Sequence, residues 1–481
     1  MAAITTLNAK NLETLGAERL AVLLMEISTG NAAAKQRLRM ALAGAQSPLD
    51  LAKTVRKRLA ALATAKSFHD WRGARNLAAD LNAQRTAITE TIAPAHPEEA
   101  LDLLWRLMAL AAPLFSRYDD SNGDISAVLQ QACRDLGHIT ARVRPMPDAL
   151  ARQVFAAITT NDFGQFDGLI ELMAPTLGPE GLAHLKRLVV DLSNTSVPRP
   201  AKKDRVAIGW ATSGPIYQDD MAERSRQRTV QTALKDIADA EGDVDAFIAQ
   251  YDQETRRVPT IAAQIAQRLL AAGRAPDALA AIEAADPRKP GRHDFPVFEW
   301  EDARIEGLDA LGRPEDAQKA RLACFERFLS APHLRAYLKR LNDFDDLAAE
   351  ETALKHAAAA PILIHALHFL ITWPALDVAA SMVIQRAAEL DGNIYEVLTP
   401  AAEALRPKHP LAAVLTLRAM IDYTLSHNRT TRYNHAARHL RDCESLASDI
   451  TDFGQFEPHQ TYTARLRQQH DRKTSFWSLF N

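Results

Sequence analysis

The segments AAGRAPDALA, residues 271–280, and ALGRPEDAQK, residues 310–319, repeat Gly-Arg, a short spacer and Asp-Ala, Gly273 answering to Gly312 at a step of 39 residues. Each lies between two runs whose apolar residues recur every three or four positions, so each reads as the turn of a helical hairpin. Ile265, Ala266 and Leu269 precede the first turn, and Ala278, Ile282 and Ala285 follow it. Alternating small and large residues in this way lets two antiparallel helices approach closely and stack on a neighbour. The step falls in the range of helical solenoid repeats, and stacked hairpins offer partners a surface more often than they enclose a catalytic pocket.

The first hairpin, Ile261–Ala272 then Pro276–Ala285, resembles the tetratricopeptide type. The second, Pro296–Leu311 then Pro314–Leu329, keeps Gly312 and Ala317 but carries Ile305 where a small residue is expected. The loop Asp286–Asp294 accounts for a step longer than the tetratricopeptide norm of about 34 residues. Looser copies follow at Pro407–Pro410 and at His427–Thr431. Helical periodicity also fills the N-terminal part: in Glu18–Ile27 the residues Leu20, Ala21, Leu23, Leu24 and Ile27 make one broad apolar face. Alternating strand patterns do not occur. The expected fold is all-α, an elongated α-solenoid of degenerate tetratricopeptide-like hairpins.

One stretch breaks this pattern. Ser193–Gln218, SNTSVPRPAKKDRVAIGWATSGPIYQ, has three prolines, two glycines and a basic cluster without helical period. It reads as a linker or surface flap. The expected organisation is an N-terminal helical half, 1–192, the segment 193–218, and a C-terminal helical-repeat half, 219–481, with a capping helix.

With 481 residues the chain exceeds what one compact core supports. Its 47% apolar and 24% charged residues are ordinary for a soluble protein, and the net charge of -3 shows no nucleic-acid footprint. Cys133, Cys324 and Cys443 are far apart, which fits reduced thiols in the cytoplasm rather than disulfides or a metal knuckle. The N-terminus lacks the basic and apolar regions of a signal peptide. Pro361–Trp373, PILIHALHFLITW, is too short to span a bilayer and reads as a buried core helix, so no membrane partner is expected.

Several constellations suggest chemistry and then lose it. In Tyr118–Ser126, YDDSNGDIS, Gly123 could be the turn glycine of a calcium loop, but Tyr118 and Leu129 would occupy positions that need carboxylates. A turn capping the helix that starts near Asp124 is the better reading. His365 and His368 lack the further ligands of a zinc site and are expected to be buried or hydrogen-bonded helical histidines. Glu299–Asp302 reads as an N-terminal charge preference. Nucleophile-elbow and phosphate-loop motifs are missing, so no enzyme and no cofactor are expected.

The C-terminal segment is distinctive: a final helix with Arg465, Arg467, Arg472 and Lys473 beside Phe476 and Trp477. It could grip phosphates and stack bases, or plug the end of the solenoid with its aromatics. Arg199, Lys202, Lys203, Arg205, Arg465, Arg472, Lys473 and Trp477 are therefore the candidate partner or phosphate contacts. The leading reading is a non-enzymatic scaffold binding a protein or peptide. A nucleic-acid-associated protein using the basic flap and C-terminal helix is the alternative.

Asn11-Leu12, Leu15-Gly16 and Leu20, Lys35–Leu42, Ala100–Leu104, Arg117–Gly123, Asp162–Leu172, Gly178–Leu185 and His470–Trp477 resemble an uncharacterised bacterial family of large all-helical proteins, a domain of unknown function. The resemblance covers most of the chain and implies no assigned activity. Similar helical regions accompany SWIM-type zinc fingers. The CxC…CxH ligands of such fingers are missing here, so neither zinc nor the associated nucleic-acid role transfers.

Overall fold

The structure, a computed structural model, describes residues 7–30, 32–68, 70–195, 200–201, 204–212, 214–287 and 296–480. Two compact units divide it, Met1–Asp252 and Gln253–Asn481.

The first unit begins with α1 (Ala9–Glu13), α2 (Gly16–Ser28), α3 (Ala32–Gln46), α4 (Pro48–Thr64) and α5 (Trp71–Thr86). A π-helical turn, Ala87–Ile92, prolongs α5. There follow α6 (Pro97–Met108), α7 (Ala111–Phe115), α8 (Asp124–Val143), α9 (Pro147–Ile158) and α10 (Leu169–Asn194). A two-stranded hairpin, β1 (Ala207–Ala211) and β2 (Gly214–Tyr217), precedes α11 (Gln218–Glu241) and α12 (Val244–Ala249). Leu103, Leu104, Leu107, Met108, Leu114 and Leu136 are fully buried in its core.

The second unit consists of α13 (Pro259–Ala271), α14 (Ala275–Ala284), α15 (Phe298–Ala310), α16 (Pro314–Phe328), α17 (Ala331–Leu338), α18 (Asp345–Ala358) and α19 (Leu363–Thr372). It continues with α20 (Leu376–Gln385), α21 (Tyr395–Leu405), α22 (Pro410–Ser426), α23 (Tyr433–Ala447), α24 (His459–Gln469) and α25 (Thr474–Phe480). Each helix packs mainly on those next to it in sequence: α13 on α14, α15 on both, α16 on α15, and so on to α25 on α23. Nearest-neighbour packing of this kind defines a helical solenoid.

The repeated motif has a complete structural account. Gly273 and Gly312 have φ of 72° and 68°, the left-handed conformation that ends a helix. Arg274 N–H reaches back to the Leu269 carbonyl at 2.8 Å, and Arg313 N–H to the Leu308 carbonyl at 3.0 Å. The same arginines turn their guanidinium groups to Asp277 at 2.8 Å and Asp316 at 2.9 Å, each in the first turn of the next helix. Ala278 and Ala317 then sit at the contact with 0% exposure. Trp300, equally buried, donates its indole N–H to the Ile282 carbonyl at 2.9 Å and ties α15 to α14. Most of the Asp286–Asp294 loop lies outside the described residues.

Four expectations need revision. The division between units falls at Asp252, because α11 packs along α10 and belongs to the first unit. Residues 193–218 do not separate two halves; their second part is the β1–β2 hairpin. Pro361–Trp373 is only half-buried as α19, with His365 and His368 on its exposed side. The expected final helix is two helices, α24 and α25, broken around His470–Lys473.

Other readings hold. Asp120 accepts from the backbone N–H groups of Ile125 and Ser126 at 2.8 and 2.9 Å and from the Ser126 hydroxyl at 2.7 Å, capping α8. The three cysteines are free and buried; burial pushes the thiols of Cys324 and Cys443 up to about 12 and that of Cys133 up to about 11. Among the described residues, no helix is long and apolar enough to cross a membrane.

Nothing lies within 4 Å of a Cβ added at Gly312, so the cost of a side chain there is purely a backbone cost. Gly312→Ala is expected to lose about 1 to 2 kcal/mol of stability in urea unfolding, and Gly312→Asn clearly less, because Asn tolerates the left-handed region.

Candidate functional site

The sequence candidates are scattered rather than gathered. Arg199, Lys202 and Lys203 lie outside the described residues. Arg205 belongs to the first unit, whereas Arg465, Arg472, Lys473 and Trp477 belong to the second. Arg205 pairs with Asp219 at 2.9 Å and Asp220 at 2.6 Å and lies 3.8 Å over the Tyr217 ring. Its charge is spent on anchoring the hairpin to the start of α11. Arg465 is likewise held by Glu457 at 3.0 Å and Asp422 at 3.7 Å. Lys473 donates to the Asn428 side-chain oxygen. Trp477 is 7% exposed, donates to the His470 carbonyl at 2.9 Å and carries the Arg467 guanidinium 4.7 Å over its ring. Its ring is packed against Phe476 and Phe480 and is not a platform for a base, so the plug is what the aromatics form. Arg472 is exposed in the turn between α24 and α25.

Among the described residues, two ligand-sized cavities are bordered by clusters of acidic side chains. In the first unit, a space of about 800 Å³ lies between the segment after α9, α10 and α11. Asp162, Asp167, Glu171, Asp236 and Asp239 line it against a single arginine, Arg228. Burial, and then the charges of Asp239, Asp167 and Glu171, push the Asp236 carboxyl up to about 6. The folded protein therefore holds this proton where an unfolded chain releases it. Stability is greatest below the ordinary aspartate value and falls as pH rises toward 6. Asp236→Asn is expected to stabilise the protein by about 1 to 3 kcal/mol in urea unfolding at pH 8, with the gain vanishing near pH 4.

In the second unit, a space of about 610 Å³ opens beside α22, between the segment after α20, the segment before α24, and α24 itself. Arg418, 6% exposed, lines it from α22, a helix buried on nearly every side. Its guanidinium lies 4.3 Å over the Tyr462 ring and donates through Nη1 to the Glu457 carbonyl at 2.7 Å. Nε and Nη2 have no hydrogen-bond partner among the described residues. Burial lowers the pKa of this group, and nearby negative groups oppose that shift. Tyr462 donates its hydroxyl to Asp422 at 3.1 Å; burial raises the Asp422 carboxyl, while Arg465 and this hydrogen bond hold it down. Across the space, His427 stacks on Tyr423 with ring centroids 4.1 Å apart.

Sequence reading did not find this cluster. Arg418 sits inside an apolar helical run, and the residues that make it unusual are up to 44 positions away. Its one sequence signal is an arginine inside the largely apolar run Leu411–Ile421.

Asp391-Gly392 presses on α22 so closely that a Cβ at Gly392 would stand 1.9 Å from the Ala419 carbonyl oxygen. The obstacle is backbone and cannot turn aside. Gly392→Ala is expected to cost about 1 to 3 kcal/mol, read as a lowered thermal midpoint, because the cavity wall must move off the helix.

Stacked helical hairpins, each packed mainly on its neighbours in sequence, describe a helical-repeat protein. The chain belongs to a family of unknown function, DUF6880, whose model matches residues 2–479. No curated protein matches it. Among solved structures it is similar to a chain of the APC/C hetero-tetramer Cut9-Hcn1, at 11% identity over 90% of this chain and 97% of that one, with a TM-score of 0.17. It is also similar to a circular tandem repeat protein, at 13% identity over 95% and 91% of the two chains, with a TM-score of 0.14. At such scores the likeness carries no weight beside the packing of the helices themselves.

Proposed function

We propose that this chain is a non-enzymatic helical-repeat scaffold that binds a protein partner, and that the partner adds an extended segment to the β1–β2 hairpin. The observation that carries this reading is the hairpin's surface. Trp210 is 80% exposed, Val206 57% and Ile208 56%, three large apolar side chains in five residues. Such a group in water, on a segment fastened to α11 by Arg205, is unfavourable unless something covers it.

The hairpin also has the backbone for it. Ala207 pairs with Tyr217, Gly209 with Ile216, Trp210 with Pro215 and Ala211 with Gly214, and neither strand has a further β partner among the described residues. An open edge beside exposed apolar residues is the arrangement that strand addition uses, with main-chain hydrogen bonds giving affinity and side chains giving choice. A cytoplasmic setting goes with the three free buried thiols. The nucleic-acid alternative has less support, since Arg205 and Arg465 are paired with carboxylates and Trp477 is buried.

A photo-cross-linking residue in place of Trp210, used in extracts of the native host, is expected to trap a discrete protein, and Trp210→Ala is expected to abolish its co-purification. Because the side chain is exposed, Trp210→Ala should leave stability within about 0.5 kcal/mol of the parent. Light scattering of the purified chain identifies the case in which the trapped protein is a second copy. Cross-linking that yields no discrete species, or co-purification that Trp210→Ala leaves unchanged, overturns the reading.

A further inference from the structure

Arg418 borders the second unit's cavity as a buried guanidinium with two donors that have no hydrogen-bond partner among the described residues. A guanidinium stays protonated in any protein environment, and it brings five N–H donors that must be satisfied when it is taken out of water. Here the guanidinium lies over the Tyr462 ring at 4.3 Å and the Phe453 ring at 5.7 Å and gives one donor to the Glu457 carbonyl, while Nε and Nη2 have no hydrogen-bond partner among the described residues. The neighbouring carboxylates do not supply the deficit. Asp422 accepts from Tyr462 and faces Arg465, and Glu457 holds Arg465 through its side chain. The two free donors lie on one edge of the guanidinium plane, the edge whose spacing matches the two oxygens of a carboxylate.

The rest of the cavity limits what can carry that carboxylate. Leu390, Leu415, Phe456 and the stacked Tyr423–His427 pair provide an apolar and aromatic wall. Asp391, Asp422 and Glu457 also border the space, so a doubly charged phosphate would meet three carboxylates for one unspent cation. A single negative charge on an aromatic or branched apolar body fits both constraints.

We propose that this cavity binds a monoanionic carboxylate with an aromatic or branched apolar body, its two oxygens accepting hydrogen bonds from Nε and Nη2 of Arg418. Both donors have almost no exposed surface, so uptake requires the Arg418 side chain to turn toward the space, where the ligand body would rest on the Tyr423–His427 stack. The chemistry is shared by a free organic acid and by the C-terminal carboxylate of a peptide. The site is in the second unit and is independent of the hairpin on which the scaffold reading rests.

The test uses the full chain, calorimetry and the Arg Nε–H signals in NMR. The probes are phenylacetate, acetyl-glycyl-glycyl-phenylalanine, the same peptide as its C-terminal amide, and phenyl phosphate. At least one of the two free carboxylates is expected to bind and to shift a single Nε–H signal, while the amide and phenyl phosphate bind at least about tenfold more weakly. Binding of phenylacetate alone assigns the source to a small acid, and binding of the peptide alone assigns it to a chain terminus. Arg418→Gln should lower affinity by about tenfold or more, with Arg418→Lys intermediate because it keeps the charge and loses the paired donors. Ser426→Trp, at an exposed position on the cavity rim, should block binding without touching the buried cluster, so the proposal stays testable if Arg418→Gln fails to fold. No binding of either carboxylate up to about 10 mM overturns the proposal. Equal binding of the amide, tighter binding of phenyl phosphate, or full affinity in both Arg418→Gln and Ser426→Trp overturns it as well.

Discussion

Helix axes come close only where the side chains between them are small, and in the second unit alanine holds that position at contact after contact. Ala262, Ala266, Ala278, Ala317, Ala357, Ala366, Ala379, Ala401, Ala412 and Ala437 are all fully buried or nearly so. Each buries little area, so no single contact dominates. What alanine provides is proximity, which lets the Leu, Ile and Phe residues flanking it interdigitate. The turn glycines serve the same end: Gly273 and Gly312 reverse the chain in so few residues that the next helix starts already against the last. Arg274–Asp277 and Arg313–Asp316, both exposed pairs, add little beyond fixing the start of that helix.

Charge follows a consistent rule in both units. Arginines that join elements end on carboxylates or carbonyls: Arg85 on Asp135, Arg117 on the Leu62 carbonyl, Arg205 on Asp219 and Asp220, Arg386 on the Ala360 carbonyl. These side chains act as clasps, and their guanidinium groups are not free for an outside phosphate.

The part of the fold that local chemistry controls was legible. Gly312 in its turn, Asp120 at the start of α8 and the Ala/Leu periodicity could be read because each depends on partners within a few residues. The hairpin was not legible. Ala-Ile-Gly-Trp-Ala has no clean alternation, its register shifts between Ala207 and Gly209, and it is held by an arginine clasped to Asp219, fourteen residues on. The same limit hid the division at Asp252, since nothing local says that α11 lies along α10. His365 and His368 misled for a related reason: a short helix rich in Leu, Ile and Phe reads as wholly buried, although its neighbours cover only one side. Arg418 needed Tyr462 and Glu457 from another turn of the chain before it meant anything.

Two features point outward. Val206, Ile208 and Trp210 gather three exposed apolar side chains in five residues, and Arg418 keeps two donors of one buried guanidinium unpaired among the described residues. At Trp210 an aromatic side chain is held in water on an anchored hairpin, and at Arg418 a cation is held out of water with two of its N–H groups unpaired. Natural sequences concentrate such conflicts at functional sites. The conflicts have opposite chemistry, one calling for an apolar cover and the other for an anion, and they lie in different units. Two distinct ligands, as proposed, account for both more simply than a single partner that would have to satisfy each.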